Sequence, residues 1–314
     1  VDIFFVISGI FVTQSWLRDP DLFRFAIRRF ARIVPGLFIC VTLTTLIAVL
    51  LFSKQGWRGL LELPPWQFVF ENSLLHRLRK VTAPEEWEIP GVYYNLNIRL
   101  LNGSLWTLVW EGRFYVFLGL TGAAALITPR QWFVGIAIFC LLVAQLRPEL
   151  IAGFLWEPRL LSFFMSGVLV QCLAHQMTIK GRHIGCVIAY AFLFYKSAEF
   201  FTIALLFGVI ALWIGGIQKA LIPHIQRHDY SFGVYIYHWP IMQMLRTELS
   251  PIGPIPLFFA AMPLVLSLSV LSWHYVERPA TKFVQKIMNF NRAPGCQRKR
   301  FAKLNLFEER FGAV

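Results

Sequence analysis

Apolar runs long enough to cross a lipid bilayer, separated by short polar stretches, fill this chain from Val1 to about residue 276. A helix needs about 20 apolar residues to cross a hydrocarbon core, and about 17 suffice where the bilayer thins. Read against that length, the sequence divides into segments near 1–17, 34–53, 104–127, 132–147, 159–176, 183–198, 199–215, 231–249 and 254–276. The division between 183–198 and 199–215 rests on a single turn at Lys196-Ser197-Ala198-Glu199. The expected fold class is all-α: a polytopic transmembrane helical bundle of about nine helices. Composition agrees, since 57% of the residues are hydrophobic, against roughly 45–50% for an ordinary soluble domain.

Charge placement tests this division independently, because cytoplasmic loops retain lysine and arginine. Alternating spans put 18–33 (Arg18, Arg24, Arg28, Arg29, Arg32), 128–131 (Arg130), 177–182, 216–230 and the tail with Arg278, Lys282 and Lys286 on one side. That side is expected to be cytoplasmic. The 54–103 loop falls opposite, its basic residues nearly matched by Glu62, Glu71, Glu85, Glu86 and Glu88. Its apolar stretch at 66–75 reads as an interfacial or re-entrant helix. Residues 1–279 form the expected transmembrane domain, and 280–314 a basic cytoplasmic tail.

The net charge of +13 would suit nucleic acid only on a solvated basic face. Here the basic residues orient spans instead, so no nucleic-acid partner is expected. The five cysteines form no CxxC pair and read as inert thiols. No metal-ligand spacing, glycine-rich phosphate loop or GxSxG element occurs. Neither a metal nor a serine nucleophile is expected.

Ionisable groups inside a bilayer are costly, which makes each a functional candidate. They are Asp2 (with Ser8) in the first segment, Glu111 and Arg113 in the third, His175 in the fifth, His238 in the eighth, and His274 and Glu277 at the end of the ninth. Thr107, Glu111 and Tyr115 are four apart and share one helical face. Glu111 reads either as a catalytic carboxylate or as a structural partner for an arginine such as Arg113. His238 lies beside Tyr235, Tyr237 and Pro240, and reads either as a cavity-lining imidazole or as packing. Arg28, Arg29 and Arg32 project from nearly one face at the start of the second span. Guanidinium forks suit phosphate oxygens, and they equally suit anionic lipid headgroups.

Five ordered motifs resemble the acyltransferase 3 family of integral-membrane acyltransferases. Val1-Asp-Ile-Phe-Phe-Val-Ile-Ser-Gly9 is similar to the family's second-helix signature, and Arg28-Arg29-Phe-Ala-Arg32-Ile-Val-Pro35 to its RRxxRIxP pattern. Ser104-Leu-Trp-Thr-Leu-Val-Trp-Glu111 with Phe114-Tyr115 resembles its SLWSLxxE…FY element. Ser231 to Pro240 resembles its SYxxYLxHxP element, with Phe232 in place of the first tyrosine. Tyr275-Val-Glu277-Arg-Pro279 resembles its closing YxxEKP-like motif with one residue fewer before the glutamate.

The resemblance implies transfer of an acyl group, usually acetyl, from cytoplasmic acyl-CoA to a hydroxyl of a surface polysaccharide or related glycan, in a bacterial inner membrane. It raises the phosphate reading of Arg29 and Arg32; with Arg28 they are the expected donor-binding residues, and Glu111, Tyr115 and His238 the expected catalytic ones. Asp2, Ser8, Trp106, Tyr235 and Tyr237 are assigned to the substrate cavity. Partners are then acyl-CoA, a glycan acceptor and membrane lipid. It further implies a principal catalytic histidine on a helix preceding Val1, so the chain is expected to be part of a longer reading frame with ten spans. A polytopic transporter is the rival class, since intramembrane Glu, His and Tyr also suit substrate or proton pathways; an inactive fragment of such an acyltransferase is the other reading.

Overall fold

The computed structural model describes residues 1–73, 88–93, 99–125, 128–147, 149–150, 157–173 and 229–290. These residues are almost all helical, without a named strand among them. Helix α1 spans Asp2–Arg18 and α2 Leu22–Phe52. A 3-10 turn at Gly56–Leu61 leads into α3, Leu63–Ser73. Then follow α4 (Leu105–Ala123), α5 (Pro129–Leu146), α6 (Pro158–Leu173) and α7 (Ser231–Glu248). Helix α8 (Pro254–Ser272) runs through a π-turn at Trp273–Glu277 into α9 (Arg278–Phe290). The segments predicted over 183–198 and 199–215, and His175, lie outside the described residues.

Two helices are long and apolar enough to cross a membrane, Leu22–Phe52 and the continuous Pro254–Met288. Other apolar helices are shorter, as at Pro129–Ala144 and Pro158–Leu173.

Two boundaries differ from the sequence expectation, each for a local reason. The basic stretch taken as a loop over 18–33 is mostly helix. Asp19 precedes Pro20, whose ring disfavours the α conformation before it, so α1 stops there. Asp21 then caps α2, accepting the Arg24 backbone N–H at 2.8 Å. At 31 residues, α2 is about 46 Å long, well beyond the roughly 30 Å of a hydrocarbon core. Its arginine-bearing turns therefore have length to spare outside such a core.

The 54–103 loop folds back on the end of α2. Ser53 bridges Val92, and Tyr93 donates its backbone N–H to Phe52 O at 3.2 Å. The ninth segment does not end at 276. Pro279 lacks the N–H that would continue the helical ladder, and the preceding turn widens into a π-turn, one way a helix absorbs such a break. Helix continues to Phe290 and packs on α2.

Helices α1 and α6 approach each other at backbone distance. A side chain on Gly9 would collide with the Phe164 carbonyl, and one on Gly167 with the Val6 carbonyl. Reciprocal glycines let the two backbones touch, a device of helix pairs that lack a hydrophobic drive to associate. Around this contact the core is aromatic. Phe5 meets Phe114 edge-on at 5.6 Å, and Phe114 packs on Phe164 at 5.0 Å. At the basic end, Trp16 is wedged among Phe25 and Phe133, which draws α1, α2 and α5 together there.

Candidate active site

The polar stripe of α4 faces inward, as its spacing requires. Thr107, Glu111 and Tyr115 are all buried, Glu111 being 5% exposed. Ser8 of α1 meets this stripe. Its Oγ donates to Glu111 Oε1 at 3.2 Å and lies 3.2 Å from the Tyr115 hydroxyl. The Tyr115 phenol, one helical turn along α4, donates to the same Oε1. Two hydroxyls thus hold one carboxylate oxygen, while buried Oε2 has no hydrogen-bond partner among the described residues. Such an oxygen is costly to leave unmet, and it is the natural acceptor for a substrate proton or hydroxyl.

One turn away along both helices lies a second layer. Phe4, four residues before Ser8, stacks on Tyr235 at 5.1 Å and 7°. The Tyr235 hydroxyl meets Thr107 Oγ1 and donates to Ser104 O at 3.2 Å. His238 lies 5.8 Å from the Tyr235 ring, with Nδ1 at 2.7 Å from Tyr235 O. A carbonyl only accepts, so Nδ1 is the donor here, and in the neutral ring Nε2 keeps the lone pair. His238 is half-buried, an arrangement in which Nε2 serves as a proton acceptor.

The three arginines take different partners. Arg28 Nη1 pairs with Asp19 Oδ2 at 2.7 Å and donates through Nη2 to Asp19 O. Arg32 reaches Asp229 Oδ2 at 2.5 Å and Glu277 Oε2 at 3.4 Å. Arg29 has no carboxylate partner among the described residues. Its guanidinium lies over the Tyr115 ring at 5.2 Å and the Phe25 ring at 5.7 Å. Its Nη2 reaches only the Phe11 carbonyl, at 3.4 Å. Arg29 therefore stands one aromatic ring from Glu111.

Other sequence candidates lie apart from this cluster. Trp106 is 45% exposed, because it is 100° around α4 from Thr107. Tyr237 is buried on the opposite flank of α7, beside Ser272 and Glu277. Asp2 pairs with Arg159 of α6 at 2.6 Å, at the end of α1 beyond Phe4. Glu111 and Arg113 are not paired. The Arg113 guanidinium stacks on Trp110 at 4.8 Å.

Glu277 is more central than its place at a span end suggests. It is 1% exposed, accepts from Ser272 Oγ at 3.0 Å and binds Arg32. Gly36 makes room for it, since a Cβ there would sit 3.1 Å from Glu277 Cγ. Asp19 and Asp229 were missed as arginine partners. The signal was present in acidic residues flanking a basic helix start and a serine-led helix.

Comparison with known proteins settles the class. A family model described as an acyltransferase domain, that of the acyltransferase 3 family, matches residues 1–274. The chain belongs to that family. It is also similar to an O-acetyl transferase of Shigella phage Sf6, with 28% identity over 88% of this chain and 83% of the relative. Nodulation protein 10 of Rhizobium leguminosarum bv. viciae is 26% identical, over 90% of this chain and 82% of that protein. No solved structure matches significantly. Glu111 and Arg29 of this acyltransferase family member both lie within the matched residues.

Proposed function

We propose that this chain is an integral-membrane O-acyltransferase that moves an acyl group, acetyl in the first instance, from cytoplasmic acyl-CoA to a hydroxyl of a surface glycan. The observation that carries this reading is the Ser8–Glu111–Tyr115 cluster with Arg29 stacked on its tyrosine. In the reaction, the acceptor oxygen forms a bond to the thioester carbonyl carbon. The C–S bond breaks, and the hydroxyl proton ends on the thiolate of CoA. Glu111 Oε2 is poised to hold that proton, with Oε1 fixed by Ser8 and Tyr115. A positioned acid–base group of this kind contributes roughly 10²–10⁴-fold.

Arg29 suits the donor best, because phosphate oxygens would supply the anion it lacks. Arg28 and Arg32 are already paired with carboxylates and serve mainly to hold the helices around the donor site. His238 Nε2 and the stacked Tyr235 suit the acceptor sugar. The relative named an O-acetyl transferase supports acetyl as the acyl group; the family resemblance supports a glycan as acceptor.

A bilayer setting is supported by what the helices expose. Phe259 is 68% exposed on α8, with Ile255, Leu264, Leu266 and Leu271 also open around it. A helix apolar on its outer face is matched to hydrocarbon, not water. Helix α9 differs, placing Arg278, Lys282 and Lys286 along one side and Phe283 and Ile287 on another. That pattern suits a helix lying at an anionic cytoplasmic leaflet.

Membranes from cells expressing the full reading frame, given radiolabelled acetyl-CoA, should label extracted surface polysaccharide. The Glu111→Gln protein should not. Acetyl-CoA-independent solute flux with no label transferred would replace this reading by the transporter.

A further inference from the structure

We infer that Asn102 is a positioning residue that ties the helix carrying Glu111 to the helix carrying Tyr235 and His238, through the backbone carbonyl that Pro240 leaves free. The inference rests on the active-site reading above. Within α7, Pro240 supplies no N–H, so Ile236 O, one turn earlier, has no helical donor. A buried carbonyl without a partner is destabilising. Asn102 Nδ2 takes it at 2.9 Å, and Cys40 Sγ approaches it at 3.4 Å.

The other half of the amide is also committed. Asn102 Oδ1 accepts the backbone N–H of Ser104 at 3.0 Å, at the residue that opens α4. The carbonyl can only accept and the N–H can only donate, so the amide has one orientation that satisfies both. Asn102 is 1% exposed, leaving no water to substitute for either bond.

These two hydrogen bonds set distances that matter. On α4, the Ser104 carbonyl and Thr107 hydroxyl both meet the Tyr235 phenol, and Glu111 follows one turn later. On α7, Tyr235 immediately precedes Ile236, and His238 lies two residues beyond it. Trp239 closes the joint, lying flat against Gly103 where a side chain would meet it at 2.6 Å. Asn102 touches no reacting group, yet both helices of the site are registered through it.

The test is a double-mutant cycle on the purified full-length protein in detergent. Acetyl transfer is followed with radiolabelled acetyl-CoA and surface polysaccharide of the expressing cells. Asn102→Asp keeps an acceptor for Ser104 but loses the donor to Ile236. It should lower kcat about ten-fold with KM for acetyl-CoA within about two-fold. Pro240→Ala restores a helical donor for Ile236 O, and in that background the Asn102→Asp loss should shrink to about three-fold or less. Cys40→Ser, a stronger donor at the same carbonyl, should partly rescue Asn102→Asp.

An undiminished loss in the Pro240→Ala background overturns the inference, as does a fall in thermal midpoint with kcat unchanged. Asn102→Ser is run in parallel, so that a poorly folding aspartate variant does not end the test. If the wild-type protein transfers no acyl group, the functional reading fails by itself. Coupling between Asn102 and Pro240 is then read from thermal midpoints, and its absence sinks the joint.

Discussion

Ser8 and Glu111, 103 residues apart in the chain, share a 3.2 Å hydrogen bond in the buried interior. Tyr115 donates to the same carboxylate oxygen, so the free oxygen has a fixed direction. Replacing Glu111 by glutamine keeps the shape and removes the proton acceptor. Acetyl transfer should fall by about 10²–10⁴-fold, with the thermal midpoint little changed. Ser8→Ala should cost less, about three- to ten-fold, because Tyr115 still holds Oε1. Single-turnover labelling with acetyl-CoA measures both, and a Glu111→Gln protein retaining half its activity would place the reaction elsewhere.

Arg28 and Arg29 are neighbours in sequence with different environments. Arg29→Ala should raise KM for acetyl-CoA about ten-fold or more, since its cation has no carboxylate partner among the described residues. Arg28→Ala should leave KM nearly unchanged and lower stability by about 1 kcal/mol, because its bonds go to Asp19. Donor titrations beside thermal melts separate the two effects.

The Arg32–Glu277 pair ties α2 to the π-turn after α8. Glu277→Ala leaves Ser272 Oγ without its acceptor and removes one of the two Arg32 carboxylates, which should cost about 1–3 kcal/mol. A joint Arg32→Met and Glu277→Leu exchange should be less damaging than the sum of its parts. Melting of the four proteins in detergent gives the coupling. Strict additivity would show that the pair is not a clamp.

Gly9 and Gly167 set the approach of α1 to α6. Gly9→Val should destabilise by about 3 kcal/mol or more, since its side chain meets the Phe164 backbone, which cannot give. It should also weaken transfer, because Ser8 is the adjacent residue. Gly135, with no atom within 4 Å of a would-be Cβ, provides the control: Gly135→Ala should be neutral or slightly stabilising. Comparison of thermal midpoints and activity for the two variants checks both expectations.

Much of the helical order was legible in advance, because apolar runs and inward polar stripes follow from the 3.6-residue period. The Thr107–Glu111–Tyr115 face is one such local consequence. Less legible were the ends. The Asp19-Pro20-Asp21 stop and cap turned most of an expected loop into about three turns of α2, and a helix that was expected to end continues through Pro279 to Phe290. Trp106 shows the limit of motif reading. It belongs to the same signature as Glu111 and faces away from it, because adjacent residues on a helix diverge by 100°.

By itself, the sequence determined that the chain is helical, which residues are too polar for an apolar interior, and the family to which those motifs belong. Those are properties of composition and short-range periodicity. Only the tertiary structure decided that Ser8 completes Glu111, that Arg29 has no carboxylate ion pair among the described residues while Arg28 and Arg32 are paired, and that Asn102 answers the carbonyl freed by Pro240. Each of these joins residues far apart in the chain, and hydrogen bonds and ion pairs depend on distances and angles that no local spacing specifies.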